Sequence, residues 1–175
     1  MNTANKLTLL RLILTFLMLI VLYIGFVGSN YVAMGIFIVA GITDFVDGYI
    51  ARKRGQITDF GKFVDPLADK ILVFSAMLWF VGQGIVPSWA AILVLTREFM
   101  VTGLRLIAVA NRRVMAAALS GKVKTVVSII CISALFLPVQ PWIVYLCIFA
   151  ITTTTVFSGV SYFVQNRDIL KMDLK

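Results

Sequence analysis

The sequence contains no histidine, and only 8 acidic residues stand against 16 lysines and arginines, a formal net charge of +8. The missing histidine excludes an imidazole general base, a Ser-His-Asp triad and any histidine metal ligand. Chemistry, if present, falls to carboxylates, lysines, arginines or a bound metal ion. Cysteine is scarce too. Cys131 and Cys147 both lie in apolar runs and read as small core hydrophobes, implying neither a disulfide nor a zinc site. Charged residues make up 14% of the 175 residues and hydrophobic ones 61%, where a soluble domain carries roughly 25% charge. So short a chain cannot hide that much apolar surface inside a globule, and lipid is its natural solvent. In that setting the positive charge points to anionic headgroups or anionic substrates, not to nucleic acid.

Six stretches are expected to cross a bilayer as helices, at 7–26, 31–51, 59–81, 89–110, 114–137 and 142–164. The breaks between them carry turn residues, including Gly28, Gly82, Gly84, Pro87 and the PVQP run at 138–141. Lysines and arginines gather near the first residues, between the second and third spans, between the fourth and fifth, and at the last residues. The other three connections carry no charge. The positive-inside rule therefore predicts both termini and the basic loops in the cytoplasm. The first apolar run is too long for the h-region of a cleavable signal. The reading is an all-α integral membrane protein, six transmembrane helices in one bundle, with a single membrane domain over residues 1–175.

The stretch TDFVDGYIARKRGQITDFGKFVDPLAD, 43–69, concentrates charge within this oily chain. Asp44 and Asp47, at i, i+3, share one helix face, and Asp65 and Asp69, at i, i+4, share another. A carboxylate in hydrocarbon costs about 2.5–3.5 kcal/mol on insertion scales, so four are retained only if something offsets that cost. They could pair with Arg52, Lys53, Lys62 or Lys70 and merely hold a helical hairpin. Alternatively they could bind divalent metal, because clustered carboxylates without imidazole or thiol suit hard ions such as Mg²⁺ or Mn²⁺. Four carboxylates would satisfy two such ions. Gly48 and Gly61 are poor helix formers that would let a ligand approach the backbone; close helix packing is the other reading. Gly48 and Ala51 are one turn apart. Pro66 is expected to bend the third helix beside Asp65, and Asp59, after Thr58, to start it.

The pattern Asp44-x-x-Asp47-Gly48-x-x-Ala51-Arg52, eight residues, then Gly61-x-x-x-Asp65-x-x-x-Asp69 resembles the full signature of the CDP-alcohol phosphotransferases, membrane enzymes with a six-helix core. All eight fixed positions are present. The resemblance implies transfer of a phosphatidyl or similar group from a CDP-linked donor to an alcohol, with release of CMP. It implies that Asp44, Asp47, Asp65 and Asp69 hold two divalent ions on the donor's diphosphate. Asp69 would also act as general base. Gly48, Ala51 and Gly61 would line the cytidine pocket, and Arg52 would contact the diphosphate.

For the acceptor, TREFMVTGLR carries Arg97 and Arg105, and SGKVKT carries Lys122 and Lys124. Cations near the metal site suit an alcohol bearing its own phosphate. Arg112 and Arg113 read instead as topology and headgroup charges, and Glu98 could pair with either Arg97 or Arg105. These segments, with NKLTLLR at 5–11, are similar to the bacterial members that join CDP-diacylglycerol to sn-glycerol 3-phosphate, which implies that Arg97, Arg105, Lys122 and Lys124 hold the acceptor phosphate. Ala4 stands where those members usually have proline, a departure that touches only the start of the first helix. Members using inositol phosphate or phosphatidylglycerol share the core signature. A homodimer is implied by the resemblance alone. From other classes, an ion- or proton-coupled transporter would also bury carboxylates, but the charges gather at one end instead of the midplane and no second half mirrors the first. A membrane scaffold gives no reason for eight fixed positions at this spacing.

Overall fold

A computed structural model describes residues 3–54, 59–110 and 119–167; within the helices, the side chains at 3–7, 44–54, 59–67, 69, 109 and 110 also lie outside the described residues. Six α-helices and no strand are found among the described residues: α1 Thr3–Ile24, α2 Ser29–Arg54, α3 Asp59–Gly82, α4 Ser88–Ala110, α5 Leu119–Leu135 and α6 Pro141–Gln165. Each predicted span coincides with one helix.

Turn chemistry sets the helix ends. Gly25 (φ 67°) and Gly28 (φ 92°) occupy the left-handed region and reverse the chain between α1 and α2. At the end of α3, Gly84 (φ 71°) is the left-handed residue of a Schellman motif. The Ile85 N–H donates to the Phe80 carbonyl at 2.9 Å and the Gly84 N–H to Val81 at 3.0 Å, which satisfies carbonyls the helix would leave bare. Pro141 opens α6 at a position where a missing N–H costs nothing.

These tight turns make α1/α2, α3/α4 and α5/α6 antiparallel pairs. α1 packs along α2 and α3, α5 along α6, and α4 against α3 and α6. The core runs through all six: Met18 and Leu22 of α1, Phe37 of α2, Phe80 of α3, Val94 of α4, Ile132 of α5 and Ile151 of α6 are buried. Phe136 anchors it just past α5, its ring centroid 5.8 Å from Phe37 and 4.8 Å edge-on from Phe80. Cys131 and Cys147 are free thiols within this core.

Among the described residues, large apolar side chains also line the outside. Phe16, Ile20, Leu78, Ile92, Phe149 and Phe157 are all exposed, a surface that water-soluble monomers avoid. α6 is, among the described residues, the helix long and apolar enough by itself to cross a membrane, and 8–24, 29–43 and 70–82 are shorter apolar helical stretches. Tyr23, Tyr31, Trp89, Trp142 and Tyr145 are exposed next to the glycine and proline turns, so one end of the bundle wears a belt of large aromatics. The other end carries the charged groups.

Candidate active site

The acidic motif lies on the facing ends of two successive helices. Asp44 and Asp47 lie within the last three turns of α2, and Asp65 and Asp69 within the first three or so turns of α3. α2 and α3 touch. α3 begins at Asp59 as expected and continues through Pro66 as one helix. Gly48, Ala51 and Arg52 ride on α2, and Gly61 and Lys62 on α3. The side chains of all these residues lie outside the described residues, as do Thr58, Arg112 and Arg113 entirely.

The cations of α4 and α5 are described in full. Arg97 donates from Nη1 to Glu98 Oε1 at 2.7 Å, and Lys124 Nζ donates to the same oxygen at 2.8 Å. Glu98 thus joins two of the predicted cations across α4 and α5. Lys124 is buried, with 5% of its surface exposed, and a buried ammonium is tolerated only when paired in this way. Arg105, two turns beyond Arg97 on α4, joins them through α6, where its Nη2 donates to the Tyr162 hydroxyl at 2.7 Å. Lys122 does not join. It lies two residues from Lys124, positions that face different ways on a helix, and it is exposed.

α6 closes the cluster with residues that sequence reasoning missed. Ser158 Oγ accepts from Arg97 Nη2. The Tyr162 ring lies 5.6 Å from both guanidinium carbons, that of Arg97 and that of Arg105, within cation–π range. Tyr162 is 1% exposed. Two glycines give these groups room. A Cβ on Gly121 would come within 3.3 Å of Tyr162 Cε2, and one on Gly159 within 3.2 Å of Arg97 Cγ.

Two further polar groups sit at this end. Lys70, the neighbour of Asp69, donates to Thr102 Oγ1 on α4, whose hydroxyl donates on to the Glu98 carbonyl at 2.7 Å. Arg11, read from the sequence as a topology charge, is wholly buried on α1 between Thr8 and Thr15, with Thr15 Oγ1 donating to its carbonyl at 2.9 Å. Thr8, Arg11 and Thr15 recur at helical spacing, a buried polar stripe that average hydropathy conceals. Among the described residues, no group of three or more acidic or sulfur ligands could hold a metal ion.

Residues 1–157 match the family model described as CDP-alcohol phosphatidyltransferase. The chain belongs to the CDP-alcohol phosphatidyltransferase family. It is 39% identical to the CDP-diacylglycerol–glycerol-3-phosphate 3-phosphatidyltransferase of Bacillus subtilis, with 97% of each chain covered. It is 41% identical to a protein of Mycobacterium tuberculosis named "Probable phosphatidylglycerophosphate synthase", over 96% of this chain and 83% of that one. A Rickettsia felis protein with the same name as the Bacillus one is 35% identical over 93% of both. For a CDP-alcohol phosphatidyltransferase, the family match reaches through the acidic motif and the cations of α4 and α5 and ends one residue before Ser158.

Proposed function

We propose that this chain transfers the phosphatidyl group of CDP-diacylglycerol to sn-glycerol 3-phosphate, giving phosphatidylglycerophosphate and CMP. One observation carries the acceptor assignment: Arg97, Lys124 and Arg105 converge at the end of the bundle where α2 and α3 carry the four aspartates. Among the described side chains of this cluster Glu98 is the carboxylate; it pairs with Arg97 and Lys124 while Arg105 bonds the neutral Tyr162 hydroxyl, so the three cations exceed it by two charges. A phosphate monoester carries about −1.5 to −2 near neutral pH, so glycerol 3-phosphate balances the cluster where a neutral polyol would not. The relatives' names support the same acceptor.

Asp44, Asp47, Asp65 and Asp69 would hold two divalent cations, Mg²⁺ or Mn²⁺, since their donor set is all carboxylate and the two helices that bear them touch. Bound there, the ions neutralise charge that builds on the leaving group. Gly48, Ala51 and Gly61 leave space for the cytidine, and Arg52 binds the diphosphate. Arg97, Arg105 and Lys124 fix the acceptor's phosphate and so aim its free hydroxyl. Lys122, exposed beside them, contributes to the approach of the anion. Asp69 takes the hydroxyl proton. The hydroxyl oxygen bonds to the phosphorus that carries the diacylglycerol, the bond from that phosphorus to the CMP oxygen breaks, and CMP departs with the electron pair. A carboxylate near cations is a weak base, so positioning must supply much of the rate.

The apolar exterior, the aromatic belt and the opposite charged end support six membrane crossings in the cytoplasmic membrane; the basic loops support a site and both termini facing the cytoplasm, and the homodimer rests on the family resemblance alone. The test uses purified full-length chain in detergent with CDP-diacylglycerol, Mg²⁺ or Mn²⁺, and a panel of alcohols. CMP release is expected with glycerol 3-phosphate. Release only with inositol phosphate or phosphatidylglycerol overturns the acceptor, and no release with any alcohol overturns the transferase.

A further inference from the structure

We infer that Tyr162, with Ser158, is the positioning device that sets Arg97 and Arg105 as a two-pronged clamp for the acceptor's phosphate. The inference rests on the acceptor reading above and adds residues to it.

An arginine on a helix carries several rotatable bonds, and holding two guanidinium groups in one arrangement costs side-chain entropy. Arg97 and Arg105 sit two turns apart on α4, too far to orient each other. A ring between them supplies what they lack. Tyr162 lies 5.6 Å from each guanidinium carbon and its hydroxyl accepts from Arg105 Nη2 at 2.7 Å. Arg97 is held by two neighbours, Glu98 on its own helix and Ser158 on α6. Every fixed partner here accepts without consuming the guanidinium's full set of five N–H donors, so each arginine keeps donors for a phosphate. The anchor itself is secured: Tyr162 is buried, and the Asn166 side chain and backbone N–H both donate to its carbonyl, at 2.8 and 3.2 Å, tying down the last turn of α6. Gly121 and Gly159 are the openings through which the ring and the Arg97 stem reach this arrangement. The chemistry recognised is a phosphate monoester, and the consequence of loosening the clamp falls on acceptor affinity instead of on the donor.

The experiment compares Tyr162→Phe, Ser158→Ala and Arg105→Gln in the full-length chain, measuring KM for glycerol 3-phosphate, KM for CDP-diacylglycerol, kcat and thermal unfolding. Tyr162→Phe keeps the ring and removes the hydroxyl that accepts a hydrogen bond from Arg105. Its acceptor KM is expected to rise about fivefold, the scale of one such bond, with donor KM, kcat and unfolding temperature close to the parent's. Ser158→Ala, the second arm should Tyr162→Phe fold poorly, is expected to show the same split. An unchanged acceptor KM in both, or a rise shared by donor KM and accompanied by lost stability, overturns the positioning role. Arg105→Gln separates the two levels. If it leaves acceptor KM unchanged, the acceptor site itself is misassigned. If it raises acceptor KM while Tyr162→Phe and Ser158→Ala do not, only the positioning inference falls.

Discussion

Two of the carboxylates at this site have separate proposed tasks. Asp69 is the proposed base, and Asp69→Asn keeps size and shape while removing the ability to take a proton. It is expected to abolish CMP release in the transferase assay while the protein unfolds at the parent temperature; near-normal turnover would remove Asp69 from the chemistry. Glu98 has a different task. It binds Arg97 and Lys124 through one oxygen, with side chains only 6–16% exposed. Removing one partner of a buried pair leaves an uncompensated charge and costs about 3–5 kcal/mol. Here one carboxylate serves two cations at partial exposure, so Glu98→Gln is expected to cost about 2–4 kcal/mol, read as a lower unfolding temperature in detergent. An unchanged temperature would mean that solvent or lipid headgroups take over Glu98's role.

Among the helices, the division between packing and chemistry follows the bundle axis. Phe136, 1% exposed, is wedged between Phe37 and Phe80 far from the charged end. Phe136→Ala should destabilise by roughly 2–3 kcal/mol, below the upper end for such truncations because helices that separate within lipid lose packing but little hydrophobic transfer energy. Acceptor and donor KM of the folded fraction should not move. Each helix was legible in the sequence because lipid demands a run of about 20 apolar residues, a stronger signal than any propensity. The ends were less so. α1 begins at Thr3 against a predicted 7, since hydropathy marks the part that meets lipid and helices extend beyond it. Of the site, Asp44, Asp47, Asp65 and Asp69 stood out because ionisable residues are rare in such surroundings, and Arg97 and Lys124 for the same reason. Ser158 and Tyr162 did not, because serine is an ordinary small residue at helix contacts and a tyrosine near a helix end reads as an interface residue. The burial of Arg11 was not legible, as it depends on which face of α1 meets α2 and α3.

At the scale of the molecule, polarity along one axis is the organising fact. Exposed aromatics mark one end, and the acidic motif with its cations marks the other. A reporter that functions only in the cytoplasm is therefore expected to be active when fused at either terminus and silent when inserted in the turn at 83–87 before α4; activity in that turn would overturn the six-crossing arrangement. In the proposed reaction the lipid donor and the water-soluble alcohol would meet at this charged end, with divalent ions on the aspartates. Chelation with EDTA is expected to stop CMP release and added Mg²⁺ or Mn²⁺ to restore it, while turnover that persists through exhaustive chelation would remove the metal role from the aspartates.

Two sets of helical glycines respond differently to mutational drift. Gly35, Gly82 and Gly103 have no atom within 4 Å of where a methyl group would go, whereas Gly121 and Gly159 have Tyr162 and Arg97 at 3.3 and 3.2 Å. A saturation scan selected for growth on the enzyme's product should accept alanine at the first three and resist larger residues at the other two. Lineages descended from this chain would then keep, besides the positive-φ glycines of the turns, two bare helical positions retained for the room a clamp requires.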